Sequence, residues 1–429
     1  MAETTSRSGG TDTLAPTQPA SRQEARPKET IILGQSDDEA IRPFSYRAGD
    51  EELADLKSRI AATRWPTREL VNDATQGVQL ATIQKLADYW LNQHDWRKVE
   101  TRIFSYPNFI TGVDGVDIHF IHVKSKHPDA RPIVITHGWP GSIIENLRII
   151  DPLTDPTGYG GKAEDAFDVV IPSMPGYGFS GKPTELGWSP QRIARAWISL
   201  MNRLGYDRFF ASGGDWGAPV TEEIALQAPT QVIGIQTNLA FAMPPDIAKT
   251  AAGGGPPPSG LSDREKTAYD QLVYFFTKGL GYAVEMGNRP QTMYGLDDSP
   301  VGLAAWIIDH DIDSYKMITR IFVEGAQEGL SRDDICDNIT LYWLTRTGVS
   351  SSRLYWENKL PFFVPLGQTV PVVVSSFPTE IYAVPRTWAE QAYSNLAYFG
   401  DHPKGGHFAA WEQPQAIVED LRNGFGPLR

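Results

Sequence analysis

The sequence predicts an α/β fold, a mostly parallel sheet with helices on both faces, interrupted by a helical insertion. Three observations carry this expectation. Short continuous apolar runs at 132–136, 167–171, 209–211 and 232–237 read as strands buried on both faces, since a strand with one wet face would alternate. Helical periodicity at 190–204 and 218–227 separates these runs, the rhythm of crossover units. The alternation then stops near Ala240, and 262 to about 358 reads as several helices dense in aromatics, among them Tyr274, Phe275, Phe276, Trp306, Tyr342, Trp343 and Trp356.

Taken in order, the chain is helical in pattern from about 43 to 103. Asp50 can cap a helix carrying Leu53, Leu56 and Ile60 on one face, and 80–90 is a second amphipathic run. Between them Pro66 ends helical geometry in Thr63-Arg64-Trp65-Pro66. Residues 116–123 alternate as a strand. A Gly/Pro-rich loop at 251–260 leads into Ser262-Asp263-Arg264-Glu265, a capping box that opens the first insertion helix. Strand-like sequence returns at 372–375, with helices near Thr387 and Gln413. Residues 1 to about 38, rich in Thr, Ser, Gln, Pro and Glu, hold too few apolar residues to offset the entropy of ordering.

The whole chain has 429 residues, 41% of them hydrophobic, so a large core is available. A net charge of −13 argues for solubility and against nucleic acid or anionic membranes as partners. The single cysteine, Cys336, excludes an internal disulfide and a thiolate metal cluster, and its helical context suggests a packed thiol. No apolar run approaches the ~20 residues of a membrane span, and no apolar segment near the start fits a secretory signal. A cytoplasmic location is the expectation.

The most telling stretch is Gly213-Gly214-Asp215-Trp216-Gly217, directly after the apolar run at 209–211. Its small-x-nucleophile-x-small spacing is that of the strand-to-helix elbow in α/β-hydrolases, which lifts one side chain above the sheet. The occupant is Asp rather than Ser. A serine alkylated at saturated carbon would become an inert ether, whereas an alkylated carboxylate is an ester that activated water can cleave. An Asp elbow therefore points to epoxides or alkyl halides. The plainer alternative is an Asp that caps the helix beginning near Ala218.

The base should be a histidine after the last strand, and Lys404-Gly405-Gly406-His407-Phe408 supplies His407 behind a bending glycine pair. Its orienting acid is expected at Glu380, in the segment following 372–375, with Asp401 as the rival. The loop after 232–237 offers only Asn238. Oxyanion donors should be the N–H of Trp216, after the elbow, and that of Trp139, in His137-Gly138-Trp139-Pro140-Gly141. His119 and His122 are three apart on a strand and face opposite sides. His310, between Asp309 and Asp311, reads as a favourable charge near a helix end. Gly176-x-Gly178-x-x-Gly181 matches a dinucleotide fingerprint, but it is flanked by Pro175 and Pro183 and does not open a helix.

Together, His137-Gly138-Trp139-Pro140-Gly141-Ser142, Pro175-Gly176-Tyr177-Gly178-Phe179-Ser180, the Asp215 elbow, Asp298-Ser299-Pro300-Val301-Gly302-Leu303-Ala304 and Gly405-Gly406-His407-Phe408-Ala409 resemble microsomal-type epoxide hydrolases, from about Arg42 to the C-terminus. The resemblance implies an α/β-hydrolase core at 111–239 and 366–429, a helical cap at 240–365, an N-terminal epoxide hydrolase arm at 39–110, and a disordered tail at 1–38. It implies hydrolysis of a small apolar epoxide by water to a diol, without cofactor or metal. By motif position Asp215 matches the nucleophile, His407 the base and Glu380 the orienting acid. Two cap tyrosines that hold the epoxide oxygen match Tyr282, in Gly281-Tyr282, and Tyr355, in Arg353-Leu354-Tyr355-x-Glu357-Asn358. A polar tail stands where membrane-bound members carry an anchor, so no membrane anchor is expected, and a homodimer is left open. A haloalkane dehalogenase shares the Asp elbow but needs halide donors in place of paired phenols. A catalytically silent ligand-binding homologue is the other alternative.

Overall fold

The computed structural model describes residues 39–429, so the tail expected at 1–38 lies outside the described residues. Nine strands among them form one sheet: β1 (Arg42–Pro43), β2 (Asn108–Val113), β3 (Val116–Val123), β4 (Arg131–Thr136), β5 (Phe167–Pro172), β6 (Phe209–Gly213), β7 (Val232–Thr237), β8 (Val372–Ser376) and β9 (Leu396–Asp401). Their spatial order is β1-β2-β3-β5-β4-β6-β7-β8-β9. From β5 to β9 all neighbours are parallel, and β1 to β3 extend the sheet antiparallel. This is the α/β-hydrolase arrangement, a mostly parallel sheet between helices.

Sequence order reverses at β4. The chain steps from β4 outward to β5, then returns to place β6 on the other side of β4. The carboxyl ends of β4 and β6 therefore open a crevice where connecting segments diverge, the usual ligand position in such sheets.

Three strands were not foreseen. β2 and β3 form a hairpin closed by Asp114 and Gly115, at φ 50° and 76°, which is the Asp-Gly turn that such a hairpin favours. β1 is a two-residue edge, and β9 has a partly exposed pattern that hides its pairing with β8. β3 does not alternate: its first six residues are all buried, because it lies between β2 and β5 with both faces covered. Asp50 is not a cap either. Gly49 caps the helix Asp50–Ala61, with its N–H satisfied by Glu52 at 2.7 Å, while Asp50 is drawn to Arg97 at 2.6 Å.

Helices from Pro245–Ala251 to Gly348–Glu357 fill the stretch between β7 and β8, and the capping box at Ser262 forms as expected. The helix Leu80–Asn92 docks on one of them, Arg332–Leu344: Trp90 Nε1 donates to Thr340 Oγ1 at 2.8 Å and Tyr89 Oη to Asp333 at 2.8 Å. Cys336 is buried in that same helix. Among the described residues no helix is long and apolar enough to cross a membrane.

Candidate active site

The elbow forms because only glycine fits around it. A Cβ on Gly213 would lie 2.4 Å from the Gly217 carbonyl oxygen, and one on Gly217 would lie 2.1 Å from that of Thr136. Asp215 itself takes φ 48°, a left-handed conformation that a non-glycine residue holds only when its surroundings enforce it. The side chain does not cap the following helix, whose N-cap is Trp216. Instead it rises into the crevice. Oδ1 accepts the Trp139 N–H at 2.6 Å, and Oδ2 faces His407 Nε2 at 3.6 Å. The Trp139 N–H thus faces the Asp215 carboxylate, and Trp216 follows Asp215 in the turn.

His407 follows Gly405, at φ 103°, and Gly406. A Cβ on Gly406 would meet the Thr379 carbonyl at 2.7 Å, so this pair lets the histidine loop lie against the loop after β8. The Thr379 N–H donates to the Gly405 carbonyl at 3.2 Å and draws the next residue, Glu380, under the imidazole. Glu380 Oε1 pairs with His407 Nδ1 at 2.6 Å, and Oε2 accepts from Asn238 Nδ2 at 2.8 Å. Asn238 therefore also holds the Glu380 carboxylate, a contact its place after β7 did not reveal. Asp401, the rival acid, lies elsewhere and pairs with Arg264 at 2.6 Å.

Burial opposes charge on His407, yet Glu380 by charge and hydrogen bond, with Asp215 and Asp311 by charge, pushes its pKa up to about 10. The two tyrosines come from facing helices, Gly281–Asn288 and Gly348–Glu357, and their rings stand 5.8 Å apart, nearly perpendicular. Tyr282 stacks on Trp139 at 5.1 Å, and Tyr355 meets the edges of Trp139 and Trp216. Burial and the Asp215 charge hold Tyr282 well above the usual phenol range. Burial, the neighbouring Tyr282 and Asp215 do the same for Tyr355. Both phenols therefore remain donors at neutral pH.

The expectation for His310 holds only for its place at a helix end. It follows the helix Pro300–Ile308, but its ring is buried in the crevice, 4.3 Å from that of His407, with Nε2 3.9 Å from Asp215 Oδ2 and Nδ1 3.1 Å from Asp311. Burial resists ionisation of Asp311, but the His310 hydrogen bond and the His310 and His407 charges hold its pKa down at about 2. The flanking acids in Asp309-His310-Asp311 suggested a favourable charge near a helix end, and only the tertiary fold turns the imidazole inward.

Glu145 was also missed. A cavity of about 30 Å³ beside Asp215 is lined by Gly138, Glu145, Asn146, Asp215, Asn238 and His407. It is roomy enough for an ordered water. Burial first, and the Asp215 charge next, push Glu145 up to about 8, although His407 pulls the other way. His119 and His122 stay apart: the former bonds Ser173 and Asn108, the latter Tyr206. The Gly176–Gly181 segment is a loop closed on itself, from the Gly176 N–H to the Gly181 carbonyl at 2.9 Å, and opens no helix.

The chain matches the model of the epoxide hydrolase N terminus over residues 41–146 and that of the alpha/beta hydrolase fold over 131–255. It is 36% identical to epoxide hydrolase 1 of Oryctolagus cuniculus across 90% of this chain and 88% of that protein. The chain belongs to the epoxide hydrolase family. A Stigmatella aurantiaca protein, provisionally named an epoxide hydrolase, is 48% identical over 91% of this chain and 86% of its own length. The Aspergillus niger epoxide hydrolase structure superposes with TM-score 0.77 at 30% identity, covering 92% and 99% of the two chains. Membership fits the unusual elbow: an epoxide hydrolase needs a carboxylate where an esterase carries serine.

Proposed function

We propose that this epoxide hydrolase converts small apolar epoxides to vicinal diols through an ester on Asp215. The observation that carries the proposal is how the two oxygens of Asp215 are divided. Oδ1 is held by the Trp139 N–H, and Oδ2 is turned toward the two imidazoles. In the first step Oδ2 attacks a ring carbon while Tyr282 and Tyr355 donate to the oxirane oxygen, because the departing alkoxide is a poor leaving group. Trp139 and Trp216, packed against the two phenols, offer apolar surroundings for the carbon frame.

In the second step water attacks the Asp215 carbonyl carbon. Alkylation neutralises Asp215 and removes one of the charges that keep His407 protonated, so the base becomes easier to free when it is needed. Glu380, fixed by Asn238, holds the proton on Nδ1 and leaves Nε2 to act. The cavity against Glu145 is the place for the attacking water. The oxyanion forms at Oδ1, against the Trp139 N–H and, in this reading, that of Trp216. One such donor contributes about 3 kcal/mol in comparable sites.

Intact-protein mass spectrometry of His407→Gln after epoxide addition tests this reading. An adduct that accumulates on Asp215 is expected. An unmodified chain, or an adduct on another residue, contradicts it.

A further inference from the structure

Asp215, His310 and His407 each present one ligand atom, all within 4.8 Å of one another, and we propose that they form a binding site for a Zn2+-class cation that blocks the nucleophile. Two imidazoles and a carboxylate are an established ligand set for this ion, with a fourth position open.

The second layer around the cluster points the same way. His407 and His310 each turn Nδ1 to a carboxylate, Glu380 at 2.6 Å and Asp311 at 3.1 Å, so each directs Nε2 at the shared space. A carboxylate behind each ligating histidine fixes the tautomer and raises ligand basicity. His310 Nε2 is buried and makes no hydrogen bond among the described residues. The separations of 3.6 and 3.9 Å from Asp215 Oδ2 to the two Nε2 atoms need to close by only a few tenths of an ångström, since ligands about 2.0–2.1 Å from a tetrahedral ion stand somewhat nearer each other. The reaction proposed above needs no metal. Bound Zn2+ would occupy Oδ2, the atom that must attack the epoxide, and displace the proton on His407 Nε2 that faces it across 3.6 Å. The cation is then an inhibitor that competes with substrate.

Calorimetric titration of the full chain with Zn2+ alone tests the site without depending on turnover. One ion per chain should bind, and Zn2+ should raise the apparent KM for an epoxide in a way that a chelator reverses. Removing a carboxylate that supports a zinc-bound histidine costs about 10–100-fold in affinity. Asp311→Asn should lose that much, and His310→Phe and His310→Gln more. In a wild-type crystal soaked in Zn2+, the anomalous signal at the zinc edge should lie between the three side chains. Wild-type protein that binds no Zn2+, a signal elsewhere, or a folded His310→Gln that binds as tightly as wild type would overturn the proposal.

Discussion

The chemistry of Asp215 depends on which neighbour each of its oxygens meets, and single substitutions can separate those neighbours. Tyr282→Phe and Tyr355→Phe should each slow ester formation, while the double variant should lose about a hundredfold or more, the usual consequence of emptying a donor site at a developing oxyanion. Stopped-flow measurement of adduct formation checks this, and unchanged alkylation in both single variants would reassign these residues to packing. Glu145 should act only in the second step. Glu145→Leu is expected to leave alkylation intact and let the ester accumulate, whereas Glu145→Gln should retain most turnover. Slowed alkylation in Glu145→Leu would instead place the side chain in support of Asp215. Several of these residues are legible in the sequence: the elbow after β6 and the donor turn after β4 are fixed by motif spacing to the ends of strands, and His407 by its glycine pair near the C-terminus. Glu145 and His310 are not legible in that way. Nothing local distinguishes an inward acid in Ile143-Ile144-Glu145-Asn146, or an inward imidazole between two aspartates, from solvated ones.

The elements that carry the tyrosines belong to a cap which other parts of the chain hold in place. Asp334 caps the helix Arg332–Leu344 through Ser331 and also receives Arg148 at 2.6 Å and Trp411 Nε1 at 3.2 Å, tying the cap to the core. Asp334→Ala should destabilise the fold by about 2–3 kcal/mol, since it strips hydrogen bonds from a partly buried guanidinium as well as a helix cap. Urea unfolding at constant slope measures this, and a change below about 0.5 kcal/mol, the range of ordinary surface substitutions, would contradict it. At this level the sequence speaks well for helices and buried strands, whose periods differ. It speaks poorly for β9, which is partly exposed, and for β3, whose apparent alternation conceals burial on both faces. The β2–β3 hairpin was legible after all, in Asp114-Gly115, a turn signal that helix periodicity farther upstream overshadowed.

Away from the site the molecule also buries Glu222, an acid whose ionisation its surroundings oppose. Burial pushes Glu222 up to about 8, against the hydrogen bond from Tyr393 at 2.6 Å. An acid whose folded pKa is raised contributes stability below its unfolded pKa, near 4.5 here, and loses it as pH rises through about 8. Glu222 should therefore contribute a fall in thermal stability between about pH 5 and pH 8 that Glu222→Gln lacks. Parallel slopes for the two proteins would contradict this. In the proposed reaction the sheet, the helical insertion and the buried charges together present one carboxylate oxygen to one carbon. The direct measurement of that claim is a single turnover in heavy-oxygen water, with enzyme in excess over an epoxide it opens. If Asp215 is the nucleophile, the first diol carries no label, and heavy oxygen appears in the peptide that contains Asp215. Labelled diol from that first turnover, with an unlabelled Asp215 peptide, would mean that water attacks the epoxide directly.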